Sequence, residues 1–201
     1  MGHSAEMTRE LFQVYVSMLD IGAYKPVPSE SFKISLFRNI ALKAFELNEF
    51  EWLENFVKKY SEELLPRHKA DMENYCHSMI EFGRKNFEGA LESIMKVKYE
   101  FFLYKIDIKI LMIKIYYELN SIEQVYSTAD TTMQFLKNTD LISDAYKEKV
   151  KNFLKFLKMI LKLKMNVSAD QKNEIEYLRN ELAKEKKLNS PEWLRSKAER
   201  L

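Results

Sequence analysis

The feature that most constrains this chain is a seven-residue phrase that occurs three times at nearly constant spacing. Each copy begins with an aromatic residue, continues through polar residues and ends with a large apolar residue followed by glutamate; the copies are residues 45–51, 82–88 and 117–123. The steps between copies are 37 and 35 residues, counted between Phe50, Phe87 and Ile122. A period of about 20–50 residues is typical of stacked repeats, because one helix pair cannot bury its own apolar face.

Composition predicts an all-α fold. The chain has 201 residues, of which 46% are hydrophobic and 31% charged, and these values exclude a disordered or membrane-embedded polypeptide. Four glycines and four prolines are few for this length. Sheet-rich folds need more of both residues for their tight turns, whereas the abundant Leu, Lys, Glu and Met are compatible with helices.

The number of cysteines and the distribution of charge limit where the protein is expected to be located and which part of the chain is expected to contact partners. Cys76 is the single cysteine, so an intrachain disulfide is excluded, and we predict a reducing, cytoplasmic location. The net charge is +2 but uneven: residues 1–140 carry 17 Lys and Arg against 21 Asp and Glu, and residues 141–201 carry 15 against 9. An electrostatic partner surface is therefore expected in the last third of the chain.

Apolar periodicity divides the chain into three parts. Residues 1–28 form an N-terminal helix and linker, residues 29–138 form three helix pairs, and residues 139–201 form divergent C-terminal helices. The predicted pairs are 32–47 with 49–65, 66–83 with 86–99, and 101–119 with 121–138. Connections of two or three residues predict antiparallel neighbours. The C-terminal helices are expected over 144–165, from Ser168 to Leu188, and from Ser190 onward.

Local signals place several helix starts. Pro66 and Pro191 suit the first helical position, where the missing N–H costs nothing. Ser121 with Gln124, and Ser168 with Gln171, read as capping boxes. Ser190 is expected to be the N-cap of the last helix.

The three phrases resemble tetratricopeptide (TPR) repeats over residues 31–138. An aromatic residue precedes the second helix, a small residue follows three positions later, and another small residue lies on the first helix where the pair touches. The corresponding positions are Phe50, Phe87 and Ile122; Leu53, Ala90 and Val125; and Ala41, Ser78 and Ile113. Of the middle set, Ala90 alone has the family's residue type. The region also resembles helical repeats of large uncharacterised bacterial proteins, from which no activity follows.

The resemblance implies a TPR-like superhelical array of antiparallel helix pairs with a C-terminal helical cap. In that family the first helices line a concave groove that holds a partner segment. By position, the partner-binding groove would contain Arg38, Leu42, Phe45, Met72, Tyr75, Met79, Phe82, Ile110, Lys114 and Tyr117. The family's Lys and Asn carboxylate clamp is not reproduced, so an apolar protein or peptide segment is the expected partner. The implied function is a protein–protein interaction scaffold; the alternative is a regulatory or ligand-sensing helical domain of a larger bacterial protein.

Residues able to carry chemistry are scattered. His68, Cys76 and His77 lie on one predicted helix, but His68 and Cys76 are about two turns apart, too far to share a zinc ion. We interpret Cys76 as a buried thiol. No triad, metalloprotease or phosphate-loop motif occurs in the sequence. We therefore predict that the chain is not an enzyme and uses no metal or cofactor.

Three features have more than one interpretation. The aromatic patch Phe101–Tyr104 is expected to pack between repeats, and the alternative is a slot for a partner. On helix 144–165 a lysine stripe runs beside an apolar stripe; its members are Lys147, Lys151, Lys155, Lys158 and Lys162. Such a helix suits a membrane surface or a solvated outer face, and the second is favoured. Arginine is too rare there to favour nucleic-acid binding. The narrow stripe Ile175, Leu178 and Leu182 predicts a short coiled-coil seam or, preferably, a helix folded back on its predecessor.

Overall fold

A computed structural model describes residues 2–27, 29–98, 105–165 and 170–201. Over those residues the chain forms ten α-helices, one 3-10 turn at Ser61–Glu63 and no β-strand, which confirms the all-α prediction. The helices are α1 Gly2–Asp20, α2 Ile34–Glu46, α3 Phe50–Tyr60, α4 Pro66–Gly83, α5 Phe87–Met95, α6 Lys105–Glu118, α7 Ile122–Lys137, α8 Asp144–Met165, α9 Gln171–Lys184 and α10 Pro191–Ala198. The aromatic patch Phe101–Tyr104 and the cap residue Ser168 lie outside the described residues.

The chain divides into two compact units, Met1–Thr128 and Ala129–Leu201. In the first unit, each helix from α1 to α5 packs on the next one along the chain, ending with α5 on α6. In addition, α2 packs on α4 and α4 packs on α6. The first helices of the three predicted pairs therefore adjoin one another. Apolar side chains from both helices of the pairs form one core, including Phe37, Ile40, Ala44, Leu53, Ile80 and Ile94.

The repeated phrase corresponds to a repeated backbone turn. Asn48, Lys85 and Asn120 have positive φ angles of 60°, 64° and 57°, and they are separated by the same 37 and 35 residues as the phrase. In each turn the following N–H donates to the carbonyl five residues earlier: Glu49 to Ala44 at 2.9 Å, Asn86 to Glu81 at 2.9 Å and Ser121 to Tyr116 at 2.8 Å. This is the Schellman arrangement that ends a helix on a left-handed residue. The sequence period is therefore a period of helix ends.

Lys85 is the least suited residue at these turns, because its Cβ is strained at positive φ whereas asparagine tolerates that conformation. We expect Lys85→Gly to raise the free energy of unfolding by roughly 0.5–1 kcal/mol. Lys85→Ala is the matched control, since it removes the same side chain but keeps Cβ. Urea denaturation measures both. Equal stabilities for the Gly and Ala variants would contradict the left-handed turn.

Small residues bring α4 and α5 together. Ser78 and Ala90 are both fully buried, and the Ser78 hydroxyl donates to the Ala90 carbonyl at 2.8 Å. One helix pair is therefore in direct contact at two of the small positions that the sequence singles out. Gly83 has a similar role between repeats, because a Cβ there would lie 2.2 Å from the ring of Phe50.

This contact predicts that Ala90→Trp destabilises the protein by roughly 1–3 kcal/mol or more, because overpacking forces the two helices apart. Met95→Trp is the control on the same helix, since Met95 is 63% exposed. Thermal and urea unfolding of both variants tests the claim. An Ala90→Trp protein as stable as Met95→Trp would show that α4 and α5 do not touch at Ala90.

The linker after α1 is attached to Glu63, in the 3-10 turn that follows α3. The Tyr24 hydroxyl donates to the Glu63 carboxylate at 3.0 Å, Lys25 pairs with the same carboxylate at 2.5 Å, and the Phe32 N–H donates to the Glu63 carbonyl at 2.7 Å. Burial, followed by the hydrogen bond to Glu63, raises the pKa of Tyr24 to about 12. The Tyr24 ring also packs 4.7 Å from the ring of Phe32, centroid to centroid. These contacts therefore hold the linker against the first unit.

In the second unit, α8, α9 and α10 pack on one another in all three combinations. Leu178 and Leu182 of α9 are buried, so the α9 stripe folds back on α8 as preferred from the sequence. The Arg179 guanidinium donates to the carbonyls of Ala198 and Glu199, at 3.1 and 3.2 Å. This contact holds the end of α10 against α9.

Four helix ends differ most from the sequence predictions. Helix α3 ends at Tyr60 rather than residue 65, and the 3-10 turn Ser61–Glu63 follows it. Helix α5 ends at Met95 rather than residue 99, because the Lys98 N–H donates to the Asp71 carboxylate of α4 at 2.9 Å. Helix α9 ends at Lys184 rather than Leu188, which is buried beyond the helix. Ser190 adopts a left-handed conformation, and its hydroxyl donates to the Asn189 side chain instead of capping α10.

Candidate functional site

Helices α2, α4 and α6 align in register, and α2 meets α6 at two levels. Arg38 of α2 binds Asp107 of α6, and two turns further along the Lys114 ammonium lies over the Phe45 ring, 5.9 Å from its centroid. Both pairs are separated by 69 residues in the sequence. A constant offset over two turns means that α2 and α6 run in the same direction with a fixed register.

The first level is a charge-assisted contact. The Arg38 Nε donates to an Asp107 carboxylate oxygen at 2.6 Å, a terminal guanidinium nitrogen donates to the same oxygen, and the other terminal nitrogen donates to the Asn39 side-chain oxygen at 2.9 Å. The side chains are 20% and 8% exposed for Arg38 and Asp107. The rigid guanidinium fork suits this shielded carboxylate and fixes the separation of α2 from α6.

The second level is aromatic with one buried cation. Phe45 lies 6.2 Å from Phe82 of α4, centroid to centroid, and Lys114 approaches Phe45 from α6. Lys114 is 8% exposed. Burial lowers the pKa of Lys114 to about 8, and the negative charges of Glu46 and Glu118 oppose that shift.

The predicted groove residues lie on α2, α4 and α6, and most of them are shielded from solvent. Leu42, Phe45 and Phe82 are half-buried, as is Arg38. Six are buried: Met72, Tyr75, Met79, Ile110, Lys114 and Tyr117. Met72, Tyr75 and Met79 belong to the core of the first unit. The face that the sequence predicts as an open groove is therefore largely packed, and its accessible part is the 38–82 strip, defined as Arg38, Leu42, Phe45 and Phe82.

Sequence reasoning missed Asp107, the α6 carboxylate that binds Arg38 of this face. A carboxylate in the first turn of a helix ordinarily reads as a solvated residue that complements the helix dipole. The repeat period does not point to Asp107 either, because the steps of 37 and 35 residues pair Arg38 with Ile110, whereas Asp107 lies 69 residues from Arg38.

The buried Lys114 predicts an unusual pH dependence. Folding lowers its pKa from 10.5 to about 8, so between these values the unfolded chain binds a proton that the folded chain does not. The Lys114 contribution to stability therefore rises with pH across this window. Lys114→Met should reduce that rise by roughly 1–3 kcal/mol relative to the parent.

Urea denaturation at several pH values between about 7.5 and 10.5 measures the difference, since this interval spans the shift. Lys33→Met, at an exposed position, is the control and should leave the pH profile unchanged. Parallel profiles for the parent and Lys114→Met would contradict a buried ammonium at this level.

The histidines and the cysteine do not converge. Cys76 is fully buried, which confirms its interpretation as a buried thiol, and burial raises its pKa. His68 is buried beside Arg67, whose Nε lies 3.1 Å from the His68 Nε2, and His77 is exposed. Across the described ranges, no three His, Cys, Asp or Glu side chains are placed to hold a metal ion.

The lysine stripe of α8 faces solvent. Lys151, Lys155, Lys158 and Lys162 are exposed, while Lys147 is half-buried with its ammonium 3.8 Å from Asp144. The opposite face is buried through Val150, Phe153, Leu154, Leu157, Ile160 and Leu161. In the parts of the chain that are described, no helix combines the length and apolarity needed to cross a bilayer.

A solvated stripe predicts that Lys151→Glu with Lys155→Glu changes the free energy of unfolding by no more than about 0.5 kcal/mol. These two lysines are preferable to Lys158, whose ammonium pairs with Asp130 at 2.9 Å. Urea denaturation and sedimentation with anionic liposomes test the two interpretations together. Salt-sensitive liposome binding that the double variant abolishes would assign the stripe to a membrane surface.

A cleft of about 370 Å³ opens between α8 and α9. It is lined by Met159, Lys162, Leu163, Asp170, Asn173, Glu174 and Tyr177. The volume of the cleft lies in the range of small-ligand sites, about 300–1,000 Å³. Its lining combines apolar side chains with one ammonium and two carboxylates.

Comparison with known proteins adds no assignment: no protein-family model, curated protein or solved structure matches this chain. The functional argument therefore depends on the geometry of the two units.

Proposed function

We propose that this chain is a TPR-like protein–protein interaction scaffold that binds an apolar segment of a partner protein along α2 and α4. The observation that carries the proposal is the register of the first helices. Three similar left-handed turns recur at the sequence period, α4 packs on both α2 and α6, and two contacts at a constant offset join α2 to α6. Such regular stacking is the means by which repeat proteins build extended binding surfaces.

The proposed docking surface is the 38–82 strip. Its aromatic members, Phe45 and Phe82, offer half-buried rings, and Leu42 lies one turn before Phe45 on α2. Rigid aromatic side chains provide large contact area at little entropic cost. Arg38 at the end of the strip is already bound to Asp107, so it contributes position rather than a free charge. A partner helix or extended segment with two or three apolar anchors fits this strip.

Catalysis has no part in the proposal. Asp107 and Lys114 are buried and Arg38 is half-buried, and these three side chains make contacts between helices. Active sites need titratable groups clustered at an accessible cleft. We place the scaffold in the cytoplasm, because Cys76 is a free buried thiol.

Selection from a random peptide library displayed on phage tests the proposal. Selected peptides should be rich in aromatic and aliphatic anchors, and Leu42→Glu should weaken their binding by at least tenfold, measured by fluorescence anisotropy. Leu65→Glu is the control, since Leu65 is 40% exposed and lies outside the strip. Peptides that bind Leu42→Glu as tightly as the parent would place the binding surface elsewhere.

The α8–α9 cleft favours a second candidate, a regulatory domain that senses a small ligand. Lys162 and the pair Asp170 and Glu174 give this cleft charges of both signs, which suits a zwitterionic or mixed-charge molecule. A thermal-shift screen of such metabolites distinguishes the candidates. A hit that Lys162→Ala abolishes would support sensing, whereas stabilisation by selected peptides alone would support the scaffold.

A further inference from the structure

Two hydrogen bonds fix how the walls of the α8–α9 cleft face each other. Near the connection between the two helices, the Gln171 side chain donates to the Leu163 carbonyl at 3.1 Å. At the other end, the Asn152 side chain donates to the Lys187 carbonyl, just beyond α9, at 2.9 Å. The first pair is close in sequence and the second is distant, so α8 and α9 run antiparallel. Residues equally far from the connection therefore oppose one another.

This register gives the cleft a charged end and an apolar end. Lys162 of α8 and Glu174 of α9 each lie three residues from the end of the helix nearest the connection, and Asp170 directly precedes α9. One turn further from the connection, Met159 of α8 lies across from Tyr177 of α9. The cleft therefore presents charges of both signs at one end and apolar surface at the other.

Two of the lining side chains have contacts to spare. The Lys162 ammonium and the Tyr177 side chain make no hydrogen bond, ion pair or ring contact with any described residue. The Tyr177 side chain is also 60% exposed. The Asp170 carboxylate is instead oriented, because it accepts a hydrogen bond from the Asn173 side chain in the same lining. A concave site that combines apolar surface with a few placed polar groups is suited to a small ligand.

We propose that the α8–α9 cleft binds a free α-amino acid with an aromatic side chain. The ligand carboxylate pairs with Lys162, and the ligand ammonium pairs with Asp170 and Glu174. The ligand ring lies at the apolar end, between Met159 and Tyr177. This inference rests on the second candidate function, ligand sensing at this cleft, and is independent of the 38–82 strip.

The charges of the lining favour a ligand that carries both signs. A ligand with negative charge alone would meet the two carboxylates, and a ligand with positive charge alone would meet the Lys162 ammonium. Like charges placed together disfavour binding, whereas opposite charges at fixed positions give specificity and orientation. An α-amino acid has one carboxylate and one ammonium on neighbouring atoms, which matches the single charged end of the cleft.

The apolar end and the volume narrow the choice of side chain. Aromatic rings pack favourably against another ring in offset or edge-on geometry, and they also make favourable contacts with methionine sulfur. Tyr177 and Met159 offer one contact of each kind. The cleft volume of about 370 Å³ is near the lower end of the range for small-ligand sites, about 300–1,000 Å³, so it suits a single amino acid.

Ligand-observed NMR titration of the full chain with L-phenylalanine tests the proposal, since this method measures weak binding. Three matched probes each remove one feature: phenethylamine lacks the carboxylate, 3-phenylpropionate lacks the ammonium, and L-alanine lacks the ring. L-phenylalanine should bind at least about tenfold more tightly than each of them, because each probe leaves one part of the lining without its contact. Phenethylamine or 3-phenylpropionate bound as tightly as L-phenylalanine would overturn the amino-acid assignment.

Lys162→Gln tests which group holds the carboxylate. The variant should bind L-phenylalanine at least about tenfold more weakly than the parent and phenethylamine at least as tightly, a split that misfolding would not produce. Lys151→Gln, an exposed lysine three turns earlier on α8, is the control and should bind both probes as the parent does. Equal L-phenylalanine affinity for the parent and Lys162→Gln overturns the proposal.

The outcome separates this inference from the functions on which it draws. A parent protein that binds no L-phenylalanine up to about 10 mM, well above the millimolar affinities of weak ligands, overturns the inference. Ligand sensing itself fails only if the wider metabolite screen also finds no molecule whose binding depends on Lys162. The scaffold is tested separately, by peptide binding to Leu42→Glu.

Discussion

The contact between Arg38 and Asp107 sets the geometry of the first unit. It joins α2 to α6 across the position of α4, and it brings Phe45 and Lys114 together two turns later at the same sequence offset. Removal of Arg38 would take the guanidinium away from the buried Asp107 carboxylate, whereas removal of Asp107 would leave a guanidinium that is 20% exposed. The register of the three first helices, and the closure of the face between them, depend on this pair.

The helices and their turns were predictable because their signals are local. Asparagine tolerates the left-handed conformation that ends many helices, so Asn48 and Asn120 mark two of the turns in the sequence, whereas Lys85 carries no such signal. The contact of Ser78 with Ala90 was equally readable, because two small residues permit close approach. Helix ends that depend on side chains distant in sequence were not predictable. The end of α5 is an example, because the Lys98 N–H that follows it donates to Asp71 of α4.

The closure of the candidate site was not predictable from the same signals. Register correctly placed Phe45, Phe82 and Lys114 on adjoining first helices. Whether such a face stays open depends on how closely the helices approach, and long side chains such as Arg38 decide that across about seventy residues of sequence. Periodicity reports which residues share a face and carries no information about the distance between faces.

A double-mutant cycle of Arg38→Ala and Asp107→Ala tests the central claim most directly. Urea denaturation of the parent, the two single variants and the double variant gives the coupling free energy between the two side chains. The account predicts a coupling of roughly 1.5–3 kcal/mol, the range of hydrogen bonds to charged groups in shielded positions. Additive effects within about 0.5 kcal/mol would contradict it, because α2 and α6 would then be held without this contact.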